Sequence, residues 1–216
     1  MPDAIQRLLG LLGALLTVPL VLVLAVAVKL DSRGPALFVA TRVGHEGAPF
    51  RCLKLRTMTW QPNGHPVAVT VRDDPRVTRF GRLLRATRLD ELPQLWNVAM
   101  GDMRLVGPRP EDPRFVDFRD PLHRLVFTAR PGITGLAQLL HADEASLLDG
   151  ADPEREYEDR ILPVKLRIDA AYLRNRSPAL DLWILAQTPR ALLGRPLRLP
   201  ERLARELGAG RQRDGS

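Results

Sequence analysis

The sequence predicts an α+β protein, mainly helical, with a small β-hairpin and an apolar N-terminal helix ahead of a basic globular domain. Three observations carry that prediction. Residues 8–28 hold no charge and are nearly all Leu, Val and Ala. Two apolar-rich stretches, 36–43 and 49–58, flank His45-Glu46-Gly47 and read as strands joined by a turn. Much of the remainder carries apolar residues at helical spacing. The chain has 216 residues, a formal charge of +7 and 45% hydrophobic residues. That length gives one domain whose core needs no disulfides. The hydrophobic content excludes wholesale disorder. The single cysteine, Cys52, excludes a disulfide framework and any multi-cysteine metal site. Of the 32 basic residues only Lys29, Lys54 and Lys165 are lysines. The arginine excess reflects either codon usage or an anionic partner such as phosphate, nucleic acid or lipid headgroup.

The apolar run comes first. As a helix it would be about 32 Å long, enough to cross a bilayer core. Ala25-Val26-Ala27 resembles a signal-peptide cleavage site, but Asp3 and Arg7 cancel where a basic leader is expected. A spanning helix is the reading from length alone. Pro19 sits mid-segment, where it removes a helical hydrogen bond, and so favours a broken, re-entrant helix. Lys29, Arg33, Arg42 and Arg51 follow closely and place the downstream side in the cytosol. The expected division is 1–30 membrane anchor, 31–207 globular domain and 208–216 disordered tail.

Beyond the hairpin, Val77, Phe80, Leu83 and Leu84 share one helical face, with Arg76, Arg79, Arg82 and Arg85 on others. Such a helix lies either in a membrane interface or on a solvated surface. Prolines break the chain at 108–113, and helical patterns resume over 154–174 and 181–193.

The chemistry concentrates at Arg88-Leu89-Asp90-Glu91-Leu92-Pro93-Gln94-Leu95. Pro93 is tolerated only in a first helical turn, so a helix ending near Met100 should start close to Asp90. Two adjacent carboxylates then sit where a helix dipole also attracts phosphate. An ordinary N-cap followed by a solvated acid would read the same way. Three neighbours favour chemistry. Arg109 lies between two prolines in Gly107-Pro108-Arg109-Pro110, and Arg130 opens the rigid turn Arg130-Pro131-Gly132-Ile133-Thr134-Gly135. Lys54 and Arg56 are two apart on a predicted strand and should share a face. Carboxylates for a metal or for attack, with arginines for bidentate oxygen contacts, suit phosphate chemistry.

These blocks resemble the bacterial sugar transferase family, the small monotopic polyprenyl-phosphate phosphoglycosyl transferases. The match begins at Lys29-Leu30-Asp31-Ser32 with Gly34-Pro35, and continues through Arg42-Val43-Gly44, Lys54-Leu55-Arg56-Thr57-Met58 and Asp73-Asp74-Pro75-Arg76-Val77-Thr78. It takes in Leu89-Asp90-Glu91-Leu92-Pro93-Gln94-Leu95, Asn97-Val98, Gly101-Asp102-Met103, the Arg109 and Arg130 loops, and Asp169, Tyr172 and Asn175-Arg176-Ser177. The resemblance covers most of residues 19–193. It implies a re-entrant membrane helix and a cytosolic catalytic domain with interfacial amphipathic helices. It implies that Asp90 attacks the β-phosphate of a nucleotide-diphosphate sugar, expected to be a UDP-sugar, and that polyprenyl (undecaprenyl) phosphate then takes the phosphosugar. Asp90 and Glu91 are the implied Mg²⁺ ligands. Lys54, Arg56, Arg88 and Arg109 are the implied phosphate contacts, Arg130 a nucleotide contact and Asp169 a site-supporting acid. The implied location is the cytosolic face of the bacterial inner membrane. The implied partners are donor, lipid acceptor and membrane phospholipid, with a homodimer possible and no nucleic acid.

The sequence departs from the family pattern in places. The helix break is Val18-Pro19 rather than Ser-Pro, and no acid precedes it at the usual position. After Gln138 the chain reads Leu139-Leu140-His141-Ala142-Asp143, where sugar discrimination is expected. A membrane-anchored basic interaction protein would explain the charge and the anchor but not the carboxylate pair among arginine turns. Cys52 reads as a buried structural thiol. His45, His65, His123 and His141 show no metal-ligand spacing and read as surface or loop residues.

Overall fold

The computed structural model describes residues 1–61, 69–140, 148, 152–195 and 197–211. It is mainly helical with two small sheets. Helix α1 spans Asp3–Asp31 and runs unbroken through Pro19. Its buried positions Gln6, Gly10, Ala14, Leu24 and Val28 continue through half-buried Thr17 and Val21. Those steps of three and four residues make one stripe along the whole helix. Leu8, Leu12, Leu16, Leu22, Val23 and Leu30 stay exposed on its other faces. Among the described residues α1 is the one helix long and apolar enough to cross a membrane.

Both ends of α1 rest on the same globular body. Near the start, the Asp3 carboxylate meets Arg104 at 2.9 Å and Arg130 at 2.6 Å. Gln6 Oε1 accepts the Leu105 N–H at 2.9 Å. At the far end the Arg56 guanidinium donates to the carbonyls of Val28, Ser32 and Arg33 and to Ser32 Oγ. These bonds fix the chain where it leaves α1, and the Val28 carbonyl also accepts the Ser32 N–H.

The predicted hairpin forms as β1 (Leu37–Val43) antiparallel to β2 (Pro49–Leu55), with Ala40 opposite Cys52. Cys52 is fully buried against Val98 and Met103, the structural thiol expected. Helix α2 covers Arg79–Thr87, capped by Thr78, whose Oγ1 accepts from Gly81. Its Leu84 is fully buried and its Leu83 exposed. Helix α3 covers Gln94–Met100 and packs along α1. A second sheet, absent from the sequence reading, pairs β3 (Arg104–Val106) in parallel with β4 (Gly132–Thr134).

The helices α4 (Pro121–Val126), α5 (Leu136–Leu140), α6 (Pro153–Glu156), α7 (Leu162–Arg174), α8 (Pro178–Leu192) and α9 (Glu201–Arg211) complete the body. A π-helical turn at Tyr157–Ile161 interrupts the helix expected over 154–174. Val106, Leu136, Ile168, Tyr172, Ile184 and Leu203 form the largest core. Helix α9 was not anticipated. Leu203 pins it to that core, and it carries helical structure to Arg211, into the 208–216 tail expected to be disordered. His123 also differs from expectation. It is buried in α4, where its Nδ1 accepts the Asp117 N–H at 2.7 Å.

Candidate active site

Asp90 and Glu91 lie in a single helical turn, Leu89–Glu91, that follows α2 and precedes α3. The helix expected from Asp90 onward starts at Gln94, because Pro93 takes the capping position. Arg88 adopts a left-handed backbone (φ 57°) that ends α2 and reverses the chain into this turn. Both carboxylates are 7% exposed. Three elements deliver cations to one Glu91 oxygen, Oε1. Lys54 Nζ, from β2, is at 3.0 Å. Arg109, from the loop after β3, is at 3.6 Å and Arg88 at 3.7 Å. Asp90 Oδ1 is buried and accepts no hydrogen bond.

The two carboxylates are therefore driven apart. Burial raises the Glu91 pKa, but Lys54, Arg109 and Arg88 outweigh it and hold the group at about 2. Burial and the adjacent Glu91 charge raise Asp90 above the usual range, against the opposing pull of Lys54, Arg85 and Arg88. Glu91 is the fixed anion. Asp90 keeps an unsatisfied oxygen free to form a bond.

The Arg109 loop is held from below. Asp169, on α7 and fully buried, accepts main-chain N–H bonds from Ala137 and Arg109, while burial raises its pKa to about 7. Gly107 permits a close crossing, since a Cβ there would fall 2.6 Å from the Arg130 carbonyl and 2.9 Å from Gly132 N. Beside Asp169, Tyr157 donates to Glu111 at 2.7 Å, and Lys165 bonds the Tyr157 hydroxyl at 2.6 Å.

The structure thus brings Asp90, Glu91, Lys54, Arg88 and Arg109 together, with Asp169 supporting the loop. It separates two expected contacts from them. Arg56 is 4% exposed and caps the C-terminus of α1, because β2 ends at Leu55 and the shared strand face ends with it. Arg130 pairs with Asp3 at the opposite end of α3. Sequence reasoning gave Arg85 no role beyond membership of an arginine run. Its Nε donates to Thr57 Oγ1 at 2.8 Å, and its charge acts on Asp90. The signal was its place five residues before Asp90, on a helix leading into the turn. His65 and the stretch 141–143 lie outside the described residues.

The donor set suits a hard divalent cation only in part. The unsatisfied Asp90 oxygen and neighbouring Glu91 offer two carboxylates, and no cluster of three acidic, histidine or cysteine side chains occurs among the described residues. Such a pair fits Mg²⁺ shared with substrate phosphates rather than an all-protein cage.

A buried, cation-ringed carboxylate pair on a body bearing an exposed apolar helix is a grouping suited to phosphate chemistry. A model described as bacterial sugar transferase matches residues 2–195, and the chain belongs to that family. It is 45% identical over 198 residues to a UDP-glucose:undecaprenyl-phosphate glucose-1-phosphate transferase of Caulobacter vibrioides, covering 88% of this chain and 70% of that protein. It is 39% identical over 196 residues to a UDP-N-acetylgalactosamine-undecaprenyl-phosphate N-acetylgalactosaminephosphotransferase of Aeromonas hydrophila, covering 88% and 44%. A glucose-1-phosphate transferase of Escherichia coli is 42% identical over 186 residues, covering 83% and 37%. The chain spans less than half the length of the last two relatives.

Proposed function

We propose that this chain transfers a phosphosugar from a UDP-sugar to undecaprenyl phosphate by way of a covalent intermediate on Asp90. The observation that carries the reading is the unsatisfied, buried Asp90 Oδ1 beside a Glu91 oxygen bound by three cations. In the first step an Asp90 oxygen attacks the donor's β-phosphorus. The bond from that phosphorus to the bridging oxygen breaks, and UMP leaves with the electron pair. In the second step a phosphate oxygen of the lipid attacks the same phosphorus and displaces the Asp90 carboxylate. The product is a polyprenyl-diphosphate sugar. Lys54, Arg88 and Arg109 bind and orient phosphate oxygens and offset the repulsion between Asp90 and the pyrophosphate. Asp90 and Glu91 would hold Mg²⁺, which when bound neutralises charge on the pyrophosphate.

The catalytic domain belongs, in this reading, on the cytosolic face of the inner membrane. Because both ends of α1 rest on that domain, the helix anchors the protein from one side, with its exposed leucines in lipid. This is the same-side placement that a re-entrant helix would give, reached with the helix continuous at Pro19.

The test uses the full chain in detergent with Mg²⁺ and UDP-sugars radiolabelled in the sugar, without lipid acceptor. Label should remain on the protein, leave with hydroxylamine, and be absent from Asp90→Asn, which keeps side-chain size but removes the attacking oxyanion. Excess EDTA should abolish turnover. Retained turnover in Asp90→Asn would overturn the covalent step.

A further inference from the structure

A second cluster of cations lies away from the carboxylate pair. A cleft of about 230 Å³ opens where the first turns of α1 meet the C-terminal end of α3. Arg7, Arg104 and Arg130 line it, with Asp3, Met100 and Met103. Three arginines face one carboxylate, so the cleft carries two positive charges in excess.

The arginines are held in place. Arg7 Nε donates to the Ala99 carbonyl at 3.2 Å, and its guanidinium lies over Gly101, where a Cβ would come 3.4 Å from Nε. The Arg104 side chain is 12% exposed, and its Nε is buried with no acceptor. Burial, with nearby Arg176 adding to it, lowers the Arg104 pKa from its usual value. A buried guanidinium N–H without a partner is costly, and it marks Arg104 as a strained member of the cluster. Met100, which lines the cleft, is exposed, and Leu8, Leu11 and Leu12 are exposed further along α1.

We propose that this cleft is a phosphate-binding site separate from the catalytic pair, with Arg7, Arg104 and Arg130 as its ligands. Arginine forks match phosphate oxygens in a bidentate manner. The ligand is a phosphate group carried either by an anionic phospholipid, whose acyl chains would run along the exposed leucines of α1, or by a free anion. Bound there, the phosphate shares Arg104 and Arg130 with the Asp3 carboxylate and adds Arg7 to the cluster.

Two measurements on the detergent-solubilised full chain separate the sources. Native mass spectrometry counts retained phosphatidylglycerol against phosphatidylcholine, and calorimetric titration measures inorganic phosphate binding. The variants are Arg7→Gln, Arg130→Gln and, at the other site, Arg109→Gln. Thermal melting without ligand reports folding of each. Arg7→Gln removes one hydrogen bond to Ala99 and leaves the Asp3 bridges in place, so it tests the site without the loss of the Asp3 pair that Arg130→Gln brings.

For a lipid phosphate, phosphatidylglycerol is retained in preference to phosphatidylcholine. Arg7→Gln and Arg130→Gln each weaken that retention about tenfold, the loss of one charge-assisted pair, and Arg109→Gln does not. For a free anion, inorganic phosphate binds with the same dependence on Arg7 and Arg130. Lipid and phosphate binding that are both indifferent to Arg7 and Arg130, or lost only in Arg109→Gln, would overturn the site.

Discussion

Glu91 gathers three cations on one oxygen. Replacing it by Gln removes the Glu91 charge from beside Lys54, Arg88 and Arg109 and leaves those cations able to grip a phosphate. Glu91→Gln should therefore lower turnover about 100-fold or more while inorganic pyrophosphate raises its melting temperature at least as much as that of the wild type. Parallel loss of both responses would make the carboxylate a binding group only. Asp169 poses a different question at the same scale. Its folded pKa, about 7, lies above its ordinary 3.8, so the folded state keeps a proton that the unfolded chain releases. The stability from that proton is complete below about pH 4 and is lost as pH rises through about 7. Glu111, held below its usual range against the lifting effect of burial by Lys165 and by its hydrogen bonds, acts oppositely and only in more acidic solution. Between about pH 5 and about pH 8 the wild-type melting temperature should fall more steeply than that of Asp169→Asn. Equal slopes would show that Asp169 is not protonated in the folded state near neutrality. The carboxylate pair and the Arg109 loop were legible because Pro93 and the flanking prolines fix local backbone. Arg130 was misplaced because its partner, Asp3, is 127 residues away and no local spacing records it.

Elements were legible in proportion to their periodicity. The hairpin strands are apolar-rich stretches around a turn, and β1 and β2 formed within a few residues of the predicted bounds. Strands β3 and β4 have three residues each and pair only through tertiary structure, so no pattern announces them. Helix α1 was legible as a helix but not as a packed one. Leu, Val and Ala occupy both its buried stripe and its exposed faces, leaving no contrast to read. Glycine marks the buried side instead. A Cβ on Gly10 would fall 2.7 Å and 2.8 Å from Val98 side-chain atoms and 3.0 Å from the Ala99 backbone nitrogen. Gly10→Ala should therefore destabilise by about 1–3 kcal/mol through overpacking, exceeding the helix-propensity gain of about 1 kcal/mol. Gly208, in α9, has no heavy atom within 4 Å of such a Cβ. Gly208→Ala should stabilise by up to about 1 kcal/mol. Denaturant unfolding of both variants checks the contrast, and a stabilised Gly10→Ala would mean that α1 does not pack this closely on α3.

At the scale of the whole molecule, α1 decides how the enzyme meets its membrane. Its 29 residues make a helix about 43 Å long, more than a bilayer core requires. Length alone would let it span. Packing opposes that. Spanning would carry one end across the bilayer and break either the Asp3 pairs with Arg104 and Arg130 or the Arg56 bonds to the Val28, Ser32 and Arg33 carbonyls. It would also pull the stripe from Gln6 to Val28 off the domain. A helix lying along the domain keeps all of these and still puts its exposed leucines into lipid. Ala4 and Arg33 are both exposed, one near each end. Cys52, the only native thiol, is fully buried and supplies a blank background. Ala4→Cys and Arg33→Cys, each made alone, should both resist a membrane-impermeant maleimide added to intact spheroplasts. Both should react in inside-out vesicles. Reaction of one position from each side would show that α1 crosses the bilayer, and the contacts at one of its ends would then have to open in the membrane.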